Sequence, residues 1–394
     1  MLFEEKSLLD LQTEDYLWPI GKVFRTVILN RIFVHIQRKI LVALSTVVII
    51  QTGLFLRQGS AEYFIKYMVV YLSSFFFLVS LYSTPTMGKS VFDSLHSAKL
   101  WQLKCKSIQQ QIENEAFYTN ICFVLCLMFS QISGILFITP LENDEEFFYF
   151  LGLYEHLSPK WKSFCHWNFR IDTLFIGIIS LAPCYALIYL MTQSRFQYLL
   201  LLHDLKNLNW GYEHSSAYQL IRDLEYQEEI KRRLKFCIKR HAYVNKISSS
   251  ARRQMQGFAR VFTISGVILF ISIIMFFYSY EGAHKNQYLR IISLGIPGGL
   301  TWFHILTAGQ MHEDVTCDIL KVLKTINWES WNKENRKTFI IMLQNSQKGL
   351  KIKLSENISV NFALGVSMSR ALFSTLTPVT LSSSHGGVKI LSPP

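Results

Sequence analysis

Cys122 and Cys126 stand four residues apart, so on a helix their thiols share one face, and two thiolates so placed can be half of a metal site. No acid or histidine lies with them in the same apolar run, and they read as small, soft core side chains. His304 sits deep in another apolar run and reads as a packing histidine in preference to a ligand or proton relay. The stretch Gly295-Ile296-Pro297-Gly298-Gly299 could break a helix, as transporters do; a proline kink in a packed helix is the simpler reading. There is no G-x-x-x-x-G-K-[ST] loop to cradle phosphates, no H-E-x-x-H and no C-x-x-C. Acids are nearly absent from the apolar runs, whereas proton- or cation-coupled transport usually needs them at membrane depth. No cofactor, metal site or catalytic set is expected, and the chain does not read as an enzyme.

The elements that must carry these residues are apolar runs of bilayer length. Half of the residues are hydrophobic and 17% are charged, where soluble proteins carry about a quarter charged. A spanning helix needs about 20 apolar residues. Seven runs qualify: Ile40 to Leu56, Tyr67 to Met87, Ala116 to Leu141, Thr173 to Ser194, Val261 to Tyr280, Ile291 to Met311 and Ile358 to Val379. The last is the weakest, because Arg370 interrupts it. The expected fold is all-α: a polytopic membrane protein of seven transmembrane helices.

Charge sets the orientation. The segment before the first run, and the loops after the second, fourth and sixth, hold most of the Lys and Arg. By the positive-inside bias these four share the cytosol, so the N-terminus is cytosolic and the C-terminus extracellular. That is opposite to a G-protein-coupled receptor. The formal charge of +12 fits loops against an anionic leaflet of the lipid bilayer better than nucleic acid. The mixed-charge start lacks the pattern of a cleavable signal peptide. Cys105, Cys237 and Cys317 fall in loops placed in the reducing cytosol and Cys165 stands outside, so no intrachain disulfide is expected. The sequon Asn357-Ile358-Ser359 falls on the cytosolic side and should stay unmodified.

Residues 1–39 are then a cytosolic segment, and 40–311 hold helices one to six with a long cytosolic loop at 195–260. Residues 312–357 form cytosolic helices, 358–379 the seventh span, and 380–394 a Ser-, Gly- and Pro-rich flexible tail. Within the long loop, Leu224, Ile230, Leu234, Ile238, Val244 and Ile247 recur at helical spacing, which predicts a helix that continues the fifth span. Val315 to Trp331 predicts another, with Asp314 or Thr316 as its cap. Phe339 to Leu350 predicts a third.

The C-terminal third resembles the insect odorant receptor family. The resemblance rests on Ala308-Gly309-Gln310, Trp328, Arg336-Lys337, the Gln347-Lys348 pair, and an apolar helix with Phe362, Ser369 and Phe373 to Leu376. No one element is specific; their order and spacing together are. The resemblance implies a seven-span subunit of a tetrameric odorant-gated cation channel in the plasma membrane of an olfactory sensory neuron dendrite. It implies a tuning subunit partnered by the co-receptor Orco, since the chain lacks the loop insertion and Gln-Phe ending of Orco itself. A gustatory-type homomeric channel and a secondary transporter are the alternatives.

The resemblance also implies where the sites lie. Cytosolic helices would join subunits, with Gln310, Trp328, Gln347 and Lys348 as contacts. The seventh span would line the pore, with Phe373 and Leu376 as a dewetting constriction beside Ser369 and Arg370. A volatile, mostly apolar odorant needs a closed apolar cavity with a few polar groups in the outer half of the spans. The candidates are Tyr67, Tyr71 and Ser74; Ser130, Ser133 and Phe137; Thr173, Ile176 and Ser180; and Phe277 with Tyr278. Aromatic faces supply dispersion, and hydroxyls can reach an ester, aldehyde or alcohol oxygen.

Overall fold

The computed structural model describes residues 15–96, 106–141, 144, 148, 151, 158–213, 216–279, 285–347, 351–353 and 358–385. The helices are α1 (Trp18–Val23), which runs into a π turn at Phe24–Ile28, α2 (Arg31–Gln58), α3 (Ala61–His96), α4 (Lys106–Ile138) and α5 (Pro159–Lys206). They continue with α6 (Ala217–Arg222), α7 (Leu224–Ser279), α8 (Lys285–Thr325), α9 (Lys333–Ser346) and α10 (Phe362–His385). Among the described residues the sole β pairing is an isolated bridge between Lys353 and Ser359. Stretches of α2, α3, α4, α5, α7 and α8 are long and apolar enough to cross a membrane. Helix α10, of 24 residues, occupies the position of the expected seventh span.

Length decides what lies outside the bilayer. Helix α7 has 56 residues. At about 1.5 Å per residue it is roughly 84 Å long, against a hydrocarbon core of about 30 Å. It contains no proline, so nothing stops it. Its first half, the end of α8 and all of α9 project as a stalk from one end of the bundle; the connections near Gly59, Asp144 and Lys285 mark the other, loop end.

The helix expected at Val315 to Trp331 is not a separate element. Helix α8 runs unbroken from Lys285 to Thr325, because no proline follows Pro297 within it. Asp314 and Thr316 are therefore helix interior and not caps: Asp314 accepts from Gln310 Nε2 at 2.8 Å, and Thr316 donates to the Glu313 carbonyl at 2.8 Å. The helix also passes through Pro297 without interruption. The third predicted helix begins earlier than expected, at Lys333, capped by Asn332, whose side chain accepts from Asn335 N–H at 2.8 Å. The 195–260 segment is mostly helix, belonging to α5, α6 and α7. Cys105 and Asn357 lie outside the described residues.

Helix α5 is the axis of the bundle. It packs on α3, α4, α7 and α8, and Leu181 to Ser194 is buried without a gap. Pro183 lacks the N–H that would bond the Ile179 carbonyl. The Thr84 hydroxyl of α3 reaches that carbonyl at 3.2 Å, sharing its proton with the Ser80 carbonyl at 2.7 Å. The N-terminal segment also plugs into this axis. Leu17, Ile20, Phe24 and Ile28 are buried, and the Asp15 carboxylate accepts from Tyr189 Oη and Gln193 Nε2, both at 2.9 Å.

The stalk is stapled by buried amides and rings. Trp331 Nε1 donates to Asn209 Oδ1 at 3.1 Å and to Tyr226 Oη at 3.0 Å, and Gln227 Nε2 donates to the Ser330 carbonyl at 2.9 Å. Arg233 donates to the Leu208 and Trp210 carbonyls and to Glu229. The hydrogen bond from Arg232, with that from Arg233, outweighs burial and holds the Glu229 carboxyl down to about 2.

Candidate ligand-binding cavity

A cavity of about 630 Å³ lies between α3, α4, α5, α7 and α8 and extends to α10. That volume suits one or two small organic molecules, within the roughly 300–1,000 Å³ usual for ligand sites. Its walls are mostly apolar, with hydroxyls contributed by Ser73, Ser74, Ser130, Ser133, Thr173, Ser180, Thr263, Thr301 and Ser369. Local packing explains the shape. Gly295, Gly298 and Gly299 line one side of α8, and a Cβ on any of them would meet nothing within 4 Å. Gly177 of α5 does the opposite: Ser130 Oγ of α4 lies where its Cβ would be. A Gly177→Ala change therefore forces Ser130 aside. The expected cost is about 1–3 kcal/mol, read as a lower melting temperature of the purified chain.

Above the cavity, at the loop end, two arginines close the C-terminus of α4. The last carbonyls of a helix have no intrahelical donor. Arg290 Nε donates to the Leu136 carbonyl at 2.9 Å and its Nη2 to Thr139 O. Arg170 Nη1 donates to Ile138 O at 3.1 Å. Both guanidiniums then meet one acid, Asp144, at 2.5 Å from Arg290 and 2.8 Å from Arg170. Gln287 Nε2 adds a third bond to it at 3.1 Å. All four side chains are buried. Burial pushes the Asp144 carboxyl up, but the hydrogen bonds from Arg290, the Leu141 N–H, Arg170 and Gln287 together win and hold it below the usual carboxylate range.

Beside the cavity wall made by Cys184, Leu187 and Ile305, Tyr185 Oη donates to the Cys122 carbonyl at 3.3 Å and stands 3.4 Å from His304 Nδ1. His304 thus packs against a tyrosine ring. Toward the stalk, Arg195 of α5 grips Glu115 of α4 through Nε at 2.8 Å and Nη2 at 2.9 Å, and its Nη1 donates to the Met311 carbonyl of α8. Three helices are tied at that level by one guanidinium. Among the described residues no group of His, Cys, Asp and Glu could hold a metal ion.

No family model matches the sequence, and no curated protein does. Solved structures do match. The insect olfactory receptor OR5 from Machilis hrabei superposes with a TM-score of 0.63 at 8% identity, over 93% of this chain and 99% of that one. The same receptor in complex with eugenol superposes with a TM-score of 0.58 at 10% identity, over 94% and 100%. This chain has the insect olfactory receptor fold. The described residues form an all-α chain, and its six long apolar helices fit a multi-pass membrane protein.

Within the olfactory receptor fold the residues expected from sequence divide. Ser74, Ser130, Ser133, Phe137, Thr173, Ile176 and Ser180 all line the cavity. Tyr67, Tyr71 and Phe277 do not: Tyr71 Oη is 2.9 Å from Thr52 Oγ1 of α2, and Phe277 packs on Tyr288. The Tyr278 side chain lies outside the described ones. Phe76, Phe262, Trp302 and Phe148 also line the cavity and were not foreseen; the open glycines of α8 were the signal that could have found the wall opposite them.

The expected pore residues lie on α10. Ser369 and Phe373 line the same cavity, Arg370 is exposed, and the Leu376 side chain is outside the described ones. The root of α10 is clamped to α8. The Val360 carbonyl sits where a Cβ on Gly309 would be, Gln310 Oε1 accepts from Phe362 N–H at 3.3 Å, and Glu313 binds Lys351 at 2.5 Å and Asn361 at 2.9 Å. The Gln310 amide is therefore engaged within the chain. Trp328 is exposed beneath the Arg336 guanidinium, Gln347 is exposed, and Lys348 lies outside the described residues.

Proposed function

We propose that this chain is an odorant receptor subunit that gates a non-selective cation channel in a heterotetramer with the co-receptor Orco. One observation carries the reading: the cavity that can hold a small apolar molecule is lined by α10 itself, through Ser369 and Phe373. Ligand that favours one placement of α10 over another shifts the population of the two. The stalk faces the cytosol, in keeping with its basic residues, and joins subunits through Trp328 and Gln347, with Lys348 next to them in sequence. The pore runs along α10, with Phe373 and Leu376 at its constriction and Ser369 and Arg370 beside them. Eugenol, held by the OR5 receptor, is a sensible first probe.

The test is whole-cell current during an odorant panel, with the chain expressed alone and with Orco at the plasma membrane. Odorant-evoked cation current from the pair only is the expected result. Current from the chain alone would replace it with a homomeric gustatory-type channel, and saturable uptake without current would make it a transporter.

A further inference from the structure

Asp204 lies in the last turn of α5, beyond the apolar run that ends at Ser194, where α5 packs against the stalk half of α7. Its residue is 1% exposed, and its Oδ2 has no hydrogen-bond partner among the described residues. The carbonyls at a helix C-terminus add to the difficulty, because they disfavour an anion there. Across the seam, α7 presents Arg233, Cys237 and Arg240 on one face. Cys237 is wholly buried beside Asp204. Arg240 attracts the carboxylate through space, but its guanidinium lies over the Phe236 ring, 5.2 Å from the centre, with Tyr243 near it. Arg233 is spent on the Leu208 and Trp210 carbonyls and on Glu229. Helix α8, packed on α5, buries Val315, Ile319 and Leu323, while its Asp318 and Lys321 pair with each other at the surface. Its buried His312 lies against the Tyr198 ring. The buried residues of α9 are Asn335, Phe339, Met342 and Ser346, none of them charged.

A buried carboxylate without a bonded partner is strongly unfavourable, and the group takes up a proton instead. We propose that Asp204 is a proton-binding site of the stalk: the packed seam between α5 and α7 holds this side chain neutral, and loss of its proton as the surrounding pH rises loosens the seam. Burial outweighs the pull of Arg240 and pushes the Asp204 carboxyl up to about 7. In an opened seam the carboxyl meets water and returns to about 4. The packed state then binds the extra proton, so its stability falls as pH rises from about 4 to about 7 and levels off above. The neighbouring histidines act in the opposite direction. His203, lowered by burial and by the exposed Lys206, and His241, lowered by burial, are neutral in the packed seam, so they make it more stable as pH rises. The sign of the pH dependence therefore tells Asp204 from them.

The seam carries its own reporter. Cys237 is buried in it, whereas Cys317 on α8 is exposed, so the rate at which N-ethylmaleimide labels Cys237 relative to Cys317 measures how often the seam opens. Taking the ratio cancels the common pH dependence of thiol reactivity. The experiment follows that ratio by mass spectrometry on the full chain in lipid nanodiscs. Between about pH 6 and about pH 8 it should rise about tenfold in the parent. In Asp204→Asn, which keeps the shape and cannot ionise, it should stay at the parent's low value throughout. A parent ratio that is flat, or that falls with pH as the histidines alone would make it, overturns the proposal. So does a rise that survives in Asp204→Asn. An Asp204→Asn chain whose Cys237 is labelled fast at every pH would show that the seam needs the charge, and overturns it equally.

Discussion

Asp144→Ala is expected to remove a large share of the protein's stability. The change leaves Arg170 and Arg290 buried side by side at the end of α4 with no counter-charge. Removing one partner of a buried ion pair costs about 3–5 kcal/mol, and whole domains are stable by only about 5–15 kcal/mol. Surface expression and melting temperature should both fall sharply. Adding Arg290→Gln to Asp144→Asn should recover part of the loss, since one buried charge then remains in place of two. A single Asp144→Asn protein that melts with the parent would contradict this. The pH dependence has a definite sign. The folded carboxyl titrates below its unfolded value of about 4, so its contribution is present above that value and is lost as pH falls through the depressed one. Stability from this cluster should be flat between about pH 5 and 8 and should fall in stronger acid.

Gly309→Ala is expected to uncouple ligand from current. The added methyl would overlap the Val360 carbonyl, which is backbone and has little freedom to move. Overpacking of this kind costs about 1–3 kcal/mol, here at a clamp that holds the root of α10 against α8. The α8 wall of the cavity ends at Ile305, one turn before Gly309, and of the clamp residues only Val360 lines it, so affinity should change by less than about threefold while the maximal odorant-evoked current drops about tenfold or more, comparing a shift of a few tenths of a kcal/mol with one above 1.4. Loss of affinity and current in equal proportion would place Gly309 in ordinary folding support.

The sequence announced the long helices plainly. Leu224, Ile230, Leu234 and Ile238 kept helical spacing into an apolar run without a proline, and the chain folds as one helix there. The α8 continuation was misread because Asp314 and Thr316 have cap-type side chains, and nothing local says that they sit mid-helix. The cluster at Asp144 was illegible for a different reason. Arg290 lies 146 residues from its partner and Arg170 lies 26 away; each reads locally as a loop charge flanking a span. The wall residues were legible where a helix has one inward face, as with Ser130, Ser133 and Phe137. On α3 the face was too broad: Tyr71 and Ser74 differ by about 60° around the axis, and that is enough to send Tyr71 to Thr52 on α2 while Ser74 meets the cavity.

Helix α7 touches the cavity through Phe262, Gly266 and Phe270, and through Tyr226 and Gln227 it reaches Trp331 and Asn335 deep in the stalk. A rod with no joint converts a small tilt at one tip into a large swing at the other. Any neighbouring subunit that fixes the stalk is thereby expected to tune odorant sensitivity, and reciprocity requires odorant to alter the grip by the same factor. Swapping the companion chain should then shift the dose–response curve.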